Sequence, residues 1–189
     1  GNMTIAFGEL RKGLPIELDG EPYIVVEYKS HKMQQRAPVM QVRFRSLRTG
    51  KVVDKSFQGY DVKFTPAAIE RKKAQYIYQD DDLYYFMDND TFEQFPLSSV
   101  QIEDSLPYLI EQTNVDIVFY EDSPISIDLP ITVELQVTEA PPGHKGDTAQ
   151  GGTKPVTLQT GLKVHTPLFV NKGDMLKIDT RTGEYISRI

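Results

Sequence analysis

The sequence predicts an all-β protein of three small barrels in tandem, and three observations carry that prediction. Short runs of β-branched, aromatic and alternating residues recur along the chain, separated by turns rich in Gly, Pro, Asn and Asp. A single stretch, residues 104–112, has helical spacing. Charge divides the 189 residues into unlike blocks: 11 Lys and Arg against 7 Asp and Glu up to residue 65, 3 against 14 over residues 66–129, and 7 against 6 from residue 130 onward. The predicted domains are residues 3–65, 66–129 and 130–189.

In the first block, Pro15-Ile16-Glu17-Leu18 and Glu21-Pro22-Tyr23-Ile24-Val25-Val26 flank the turn signal Asp19-Gly20. Val39-Met40-Gln41-Val42-Arg43-Phe44-Arg45 alternates, so Met40, Val42 and Phe44 share one face while Gln41, Arg43 and Arg45 share the other. Arg48-Thr49-Gly50-Lys51 reads as the next turn and residues 52–57 as the returning strand. Short strands in this number, with no amphipathic helix among them, predict an SH3-like barrel.

This block holds the most informative stretch of the chain. Lys29, Lys32, Arg36, Arg43, Arg45, Arg48 and Lys51 lie between Glu27 and Asp54 with no carboxylate among them. Residues 31–38 are polar and cationic and predict an exposed hairpin tip. A one-signed run of this kind suits an anionic partner such as RNA; the competing reading is a solvated surface hairpin. The net charge of −6 does not argue against nucleic acid, because the cations are concentrated on one module.

The second block opens with two aromatic strands, residues 73–79 and 83–87, joined by Asp80-Asp81-Asp82. That acidic turn lacks the ligand spacing and glycine of a calcium loop. A helix is expected after Asp104 or Ser105 as cap, with Pro107 in its first turn and Leu106, Leu109 and Ile110 on its buried face. Strands at residues 115–120 and 125–129 follow, an element order that predicts an OB-type barrel. In the third block, residues 132–137 alternate, residues 140–154 form a long glycine-rich loop, and strands are expected from 163–165 into 167–170, then at 175–179 and at 185–188. The Gly146 to Gly151 spacing suggests a phosphate loop, but Gly152 stands where the lysine is required and a strand-like run follows where a helix is needed.

Several classes are excluded or disfavoured. With no cysteine there are no disulfides, thiolate nucleophiles or sulfur-ligated metals. His31, His144 and His165 stand far apart, so no metal site is expected. No apolar run is long enough to span a membrane, and a cytoplasmic protein is the expectation. No nucleophile, metal cluster or phosphate cradle supports an enzyme.

Ordered motifs then run the length of the chain. They are Asp19-Gly20-Glu21-Pro22-Tyr23, Arg48-Thr49-Gly50, Thr91-Phe92-Glu93-Gln94, Gly146-Asp147-Thr148-Ala149 through Gly151-Gly152-Thr153-Lys154-Pro155, Pro167-Leu168-Phe169-Val170, and Asp179-Thr180-Arg181-Thr182-Gly183-Glu184-Tyr185. In these the chain resembles the bacterial translation elongation factor P family. The resemblance implies an L-shaped protein, an SH3-like (KOW-like) barrel followed by two OB barrels, that binds the ribosome between the peptidyl and exit tRNA sites and relieves stalling at consecutive prolines. It implies a loop tip, Lys32, Met33, Gln34, Gln35 and Arg36, at the CCA end of peptidyl-tRNA. Lys29, Arg43 and Arg45 would meet RNA phosphate, and Gly146, Asp147 and Thr148 would lie near the exit-site mRNA codon. The implied partners are the ribosome, peptidyl-tRNA and that codon, with no cofactor, no metal, no membrane and a monomeric state.

The tip departs from the family pattern. Counting without gaps from Tyr23 to Gly50, the residue that family members modify falls on Gln35, which has neither amine nor guanidine. Three readings stay open: Gln35 acts unmodified through its amide, the loop shifts so that Arg36 takes the tip and a modification, or the chain is a paralogue serving other stalls. Losing both tip glycines is expected to hinder positive φ there. A generic tandem-barrel RNA- or ribosome-binding protein, without a role in peptide transfer, is the alternative function.

Overall fold

The computed structural model describes residues 3–32, 34, 35, 37–59, 61–143 and 152–189. Among them the protein is nearly all-β, with three sheets that form barrels or half-barrels, and no helix is long and apolar enough to cross a membrane. The chain resolves into two compact units, residues 1–72 with 117–126, and residues 73–116 with 127–189.

The first sheet contains β1 (Ile5–Ala6), β2 (Pro15–Leu18), β3 (Glu21–His31), β4 (Val39–Ser46), β5 (Val52–Gln58) and β6 (Lys63–Pro66), in the order β1-β6-β2-β3-β4-β5. The short strands β1 and β6 were not expected; each is too brief to show an alternation. Leu10, Ile16, Val25, Val42, Phe44 and Phe64 form the core, with the ring of Phe57 edge-on to Phe64 at 5.3 Å. The predicted inward face of β4 is correct: Met40, Val42 and Phe44 are all buried.

The second sheet contains β7 (Ile69–Asp80), β8 (Leu83–Asp88), β9 (Gln94–Ser98), β10 (Asn114–Tyr120) and β11 (Ser123–Asp128), in the order β11-β10-β7-β8-β9. Residues 117–126 contribute Val118, Tyr120 and Ile125 to a cluster with Ala67 inside the first unit. There the Tyr120 hydroxyl donates to the Gly20 carbonyl at 3.3 Å, and Lys72 Nζ lies 4.9 Å from the centre of the Phe119 ring.

The expected helix is corrected. Only a 3-10 turn, Glu103–Tyr108, is present, with no side-chain cap. Pro107 falls late in the segment rather than in a first turn, Leu109 donates to Leu106 in the shorter ring, and Leu109 itself is extended. In the second unit this turn docks on the third sheet: the Thr160 hydroxyl donates to the Pro107 carbonyl, and Tyr108 and Ile110 pack on the third core.

The third sheet contains β12 (Thr132–Glu139), β13 (Thr153–Leu158), β14 (Lys163–Pro167), β15 (Met175–Asp179) and β16 (Tyr185–Arg188), in the order β14-β13-β12-β15-β16. The strand expected to run from 163–165 into 167–170 stops short, because β14 ends at Pro167 and Val170 turns back to donate to the Pro167 carbonyl. Its core is aliphatic: Val133, Leu135, Val137, Val156, Leu158, Val164, Val170, Leu176 and Ile178.

Candidate nucleic-acid interface

Strands β3 and β4 form a long hairpin whose register runs from Tyr23 opposite Ser46 out to His31 opposite Val39. A bulge between Val25 and Glu27 changes the parity of β3. Val25 opposes Phe44 before it and Tyr28 opposes Val42 after it, so both sides of the bulge keep apolar residues inward. The same shift sets Glu27 and Lys29 on the outer face beside Arg43 and Gln41.

That outer face has two rows. In the inner row Glu27, Arg43 and Asp54 stand side by side on β3, β4 and β5. Arg43 Nε donates to Asp54 Oδ1 at 2.8 Å, its second terminal nitrogen to Oδ2 at 3.4 Å, and its first to Glu27 Oε2 at 3.5 Å. The hydrogen bond from Arg43 holds the Asp54 carboxyl below the usual carboxylate range, and the same bond raises the Arg43 guanidinium. In the outer row, toward the tip, Lys29 faces Gln41 and then Ser56. A concavity of about 470 Å³ is lined by both rows and by Lys12.

The sequence-predicted residues therefore separate into groups. Lys29 and Lys32 are exposed on the arm, and neither has an ion-pair partner among the described residues. Arg45, between Ile24 and Val52, is exposed and likewise has no carboxylate partner among the described residues. Arg43 is engaged with two carboxylates that border the basic run in sequence but face it in register. Arg48 pairs with Glu21 and lies over the Tyr120 ring at 5.6 Å. Lys12 and Ser56 were missed; neither belongs to the basic run, Ser56 being brought to its face by strand pairing and Lys12 by the turn that precedes β2.

At the tip Gln34 and Gln35 form an exposed turn, while Met33 and Arg36 lie outside the described residues. Although the loss of both tip glycines hinders positive φ, the turn still uses it, for Gln35 stands at +61°. Hairpin twist favours a left-handed residue at the turn, at a cost of about 1–2 kcal/mol for one that carries a Cβ.

Gly146, Asp147 and Thr148 also lie outside the described residues. The loop's flanks are fixed. A Cβ on Gly143 would stand 2.9 Å from Leu168 Cβ, and the buried Lys154 donates from Nζ to the Pro141 carbonyl at 2.8 Å. Arg188 pairs with Asp174 at 3.6 Å and lies 4.6 Å over the Phe169 ring, a structural duty within the third barrel.

Three family models match in chain order: the Elongation factor P KOW-like domain over residues 7–62, the Elongation factor P OB domain over 69–127, and Elongation factor P, C-terminal, over 133–188. Elongation factor P of Alkaliphilus metalliredigens (strain QYMF) is 46% identical over 185 residues, 98% of this chain and 100% of the relative. That of Clostridioides difficile (strain 630) is 43% identical with the same coverage. The solved structure of eukaryotic translation initiation factor 5A from Methanococcus jannaschii shares the fold over 68% of this chain and 94% of its own, with a TM-score of 0.53 at 21% identity.

Tandem β-barrels behind a KOW-like domain, with relatives of this kind, define a translation factor rather than an enzyme of a classical type. The chain belongs to the elongation factor P family.

Proposed function

We propose that this translation elongation factor binds the ribosome between the peptidyl and exit tRNA sites and speeds peptide-bond formation at consecutive prolines by holding the CCA end of peptidyl-tRNA. The observation that carries this reading is the hairpin β3–β4, with the exposed cations Lys29, Lys32 and Arg45 along it and an exposed glutamine turn at its end. Lys29, Lys32 and Arg45 supply phosphate contacts, and Gln34 and Gln35 offer amide donors and acceptors to the terminal nucleotides. Met33 and Arg36 complete the tip sequence. Arg43 is set apart because its guanidinium already has two carboxylate partners. In the third domain, Gly146, Asp147 and Thr148 approach the exit-site codon through backbone amides and the hydroxyl.

No chemical group is required of the protein. Peptide transfer to and from proline is limited by alignment, and each tenfold recovered by orientation corresponds to about 1.4 kcal/mol. The test is the rate of peptide-bond formation on ribosomes stalled at consecutive prolines, with and without the factor. Acceleration confined to proline contexts is expected; an unchanged rate would leave a generic tandem-barrel RNA-binding protein. If ~3–5 cations engage, ribosome affinity should also fall with salt at a slope of about −0.7 to −0.9 per contact.

A further inference from the structure

We infer that Arg43 is a positioning residue, a clamp across three strands that sets the direction of the hairpin arm, and that it takes no phosphate itself. This duty rests on the reading of the hairpin given above and assigns it to a residue whose charge alone would place it on RNA.

Register and accessibility carry the inference. Glu27, Arg43 and Asp54 are direct cross-strand neighbours on β3, β4 and β5. The guanidinium is a rigid planar fork, and three of its nitrogens are directed at carboxylates on both flanking strands. A lysine at this position has one nitrogen and could not hold both in that geometry. A phosphate approaching here meets anions first, because the side chains of Glu27 and Asp54 are 62% and 68% exposed against 47% for Arg43.

The clamp also sits at the arm's weak point. Glu27 is the first paired residue beyond the bulge in β3, where the ladder is interrupted and the strand can bend. Tying Glu27 to β4, and β4 to Asp54, fixes the strand spacing at the place from which Lys29, Lys32 and the glutamine turn project. Lys29, two pairs nearer the tip on the same face, opposes the neutral Gln41 and remains open to phosphate.

The full chain carrying Arg43→Gln, Arg43→Lys, Asp54→Asn, and the Arg43→Gln/Asp54→Asn pair decides the matter. Two readouts are needed: the peptide-bond rate on proline-stalled ribosomes as a function of factor concentration and salt, and backbone amide exchange of residues 28–31 and 39–42 in the free protein. For a clamp, each single change lowers the maximal rate about two- to fivefold. Lysine does no better than glutamine, the pair is no worse than the worse single variant, the salt slope is unchanged, and arm amides exchange faster. For a phosphate contact, Arg43→Lys behaves as wild type, Arg43→Gln reduces the salt slope by about one contact, and Asp54→Asn tightens binding; that pattern overturns the inference. A wild-type chain inert on ribosomes would sink the proposed function. The clamp would still be judged by exchange: arm protection equal to wild type in both Arg43→Gln and Asp54→Asn would overturn it.

Discussion

The hairpins β3–β4 and β7–β8 are built alike and end differently. Each long first strand carries a bulge, between Val25 and Glu27 in one and between Tyr76 and Tyr78 in the other. Beyond the bulge, the first presents Lys29 outward, whereas the second presents Tyr78 stacked on Tyr85 at 4.6 Å with rings 9° from parallel. The first is joined through residues 32–38, and the second closes within Asp81 and Asp82, where Gln79 Nε2 donates to the Asp81 carbonyl at 2.9 Å. Reach is thus a property of the connection, and the character of the face follows from the side chains that the bulge turns outward.

Four changes would break or sharpen that comparison. Phe44 and Phe86 are fully buried counterparts in the two hairpins. Replacing either by alanine should cost about 3–5 kcal/mol in denaturant unfolding, and a loss below ~1 kcal/mol at one of them would end the parity. Exchanging residues 32–38 for Asn-Gly would give the first hairpin the short closure of the second. Proline-stall relief should fall at least about tenfold while the circular dichroism spectrum and melting temperature hold; retained activity would remove reach from the explanation.

A smaller effect is expected at the turns. Gln35 and Asp81 both occupy left-handed backbone, at +61° and +57°. Glycine at either should stabilise by no more than about 1 kcal/mol, since relief of strain is offset by a freer unfolded chain. Only Gln35→Gly should lower activity; an equal loss from Asp81→Gly would mean that the tip amide is not the functional group. The smallest effect concerns acid. Because Arg43 holds the Asp54 carboxyl below the usual carboxylate range, this group stabilises the fold at neutral pH and loses that contribution as pH falls through its folded value. Melting temperatures followed against pH should therefore show wild type above Asp54→Asn near neutrality, with the two converging at the acid end.

How much of this was legible depended on whether the signal was local. The inward face of β4 and the exposed tip follow from alternation and polarity within a few residues. The bulge at Val26 leaves no mark, since one extra residue in a β-branched run looks like more strand. The pairing of Arg43 was hidden for another reason: Glu27 and Asp54 lie 16 and 11 residues away in sequence, yet antiparallel register sets them on either side. Residues 104–112 misled because their apolar spacing suits a helix, while the late Pro107 leaves only a 3-10 turn. Lys12 reaches the face through Gly13, whose amide donates to the Val25 carbonyl at 2.8 Å, a contact with no sequence signature.

The assignment of residues 117–126 to the first compact unit bears on how the chain matures during its own synthesis. Residues 1–72 emerge first, but the cluster around Ala67 needs Val118, Tyr120 and Ile125. Residues 73–116 must be made before those side chains exist. The first unit is therefore completed by a delayed, long-range closure, the slow kind of folding step, and a nascent chain halted before residue 117 leaves Ala67 and Ile69 without the residues that cover them.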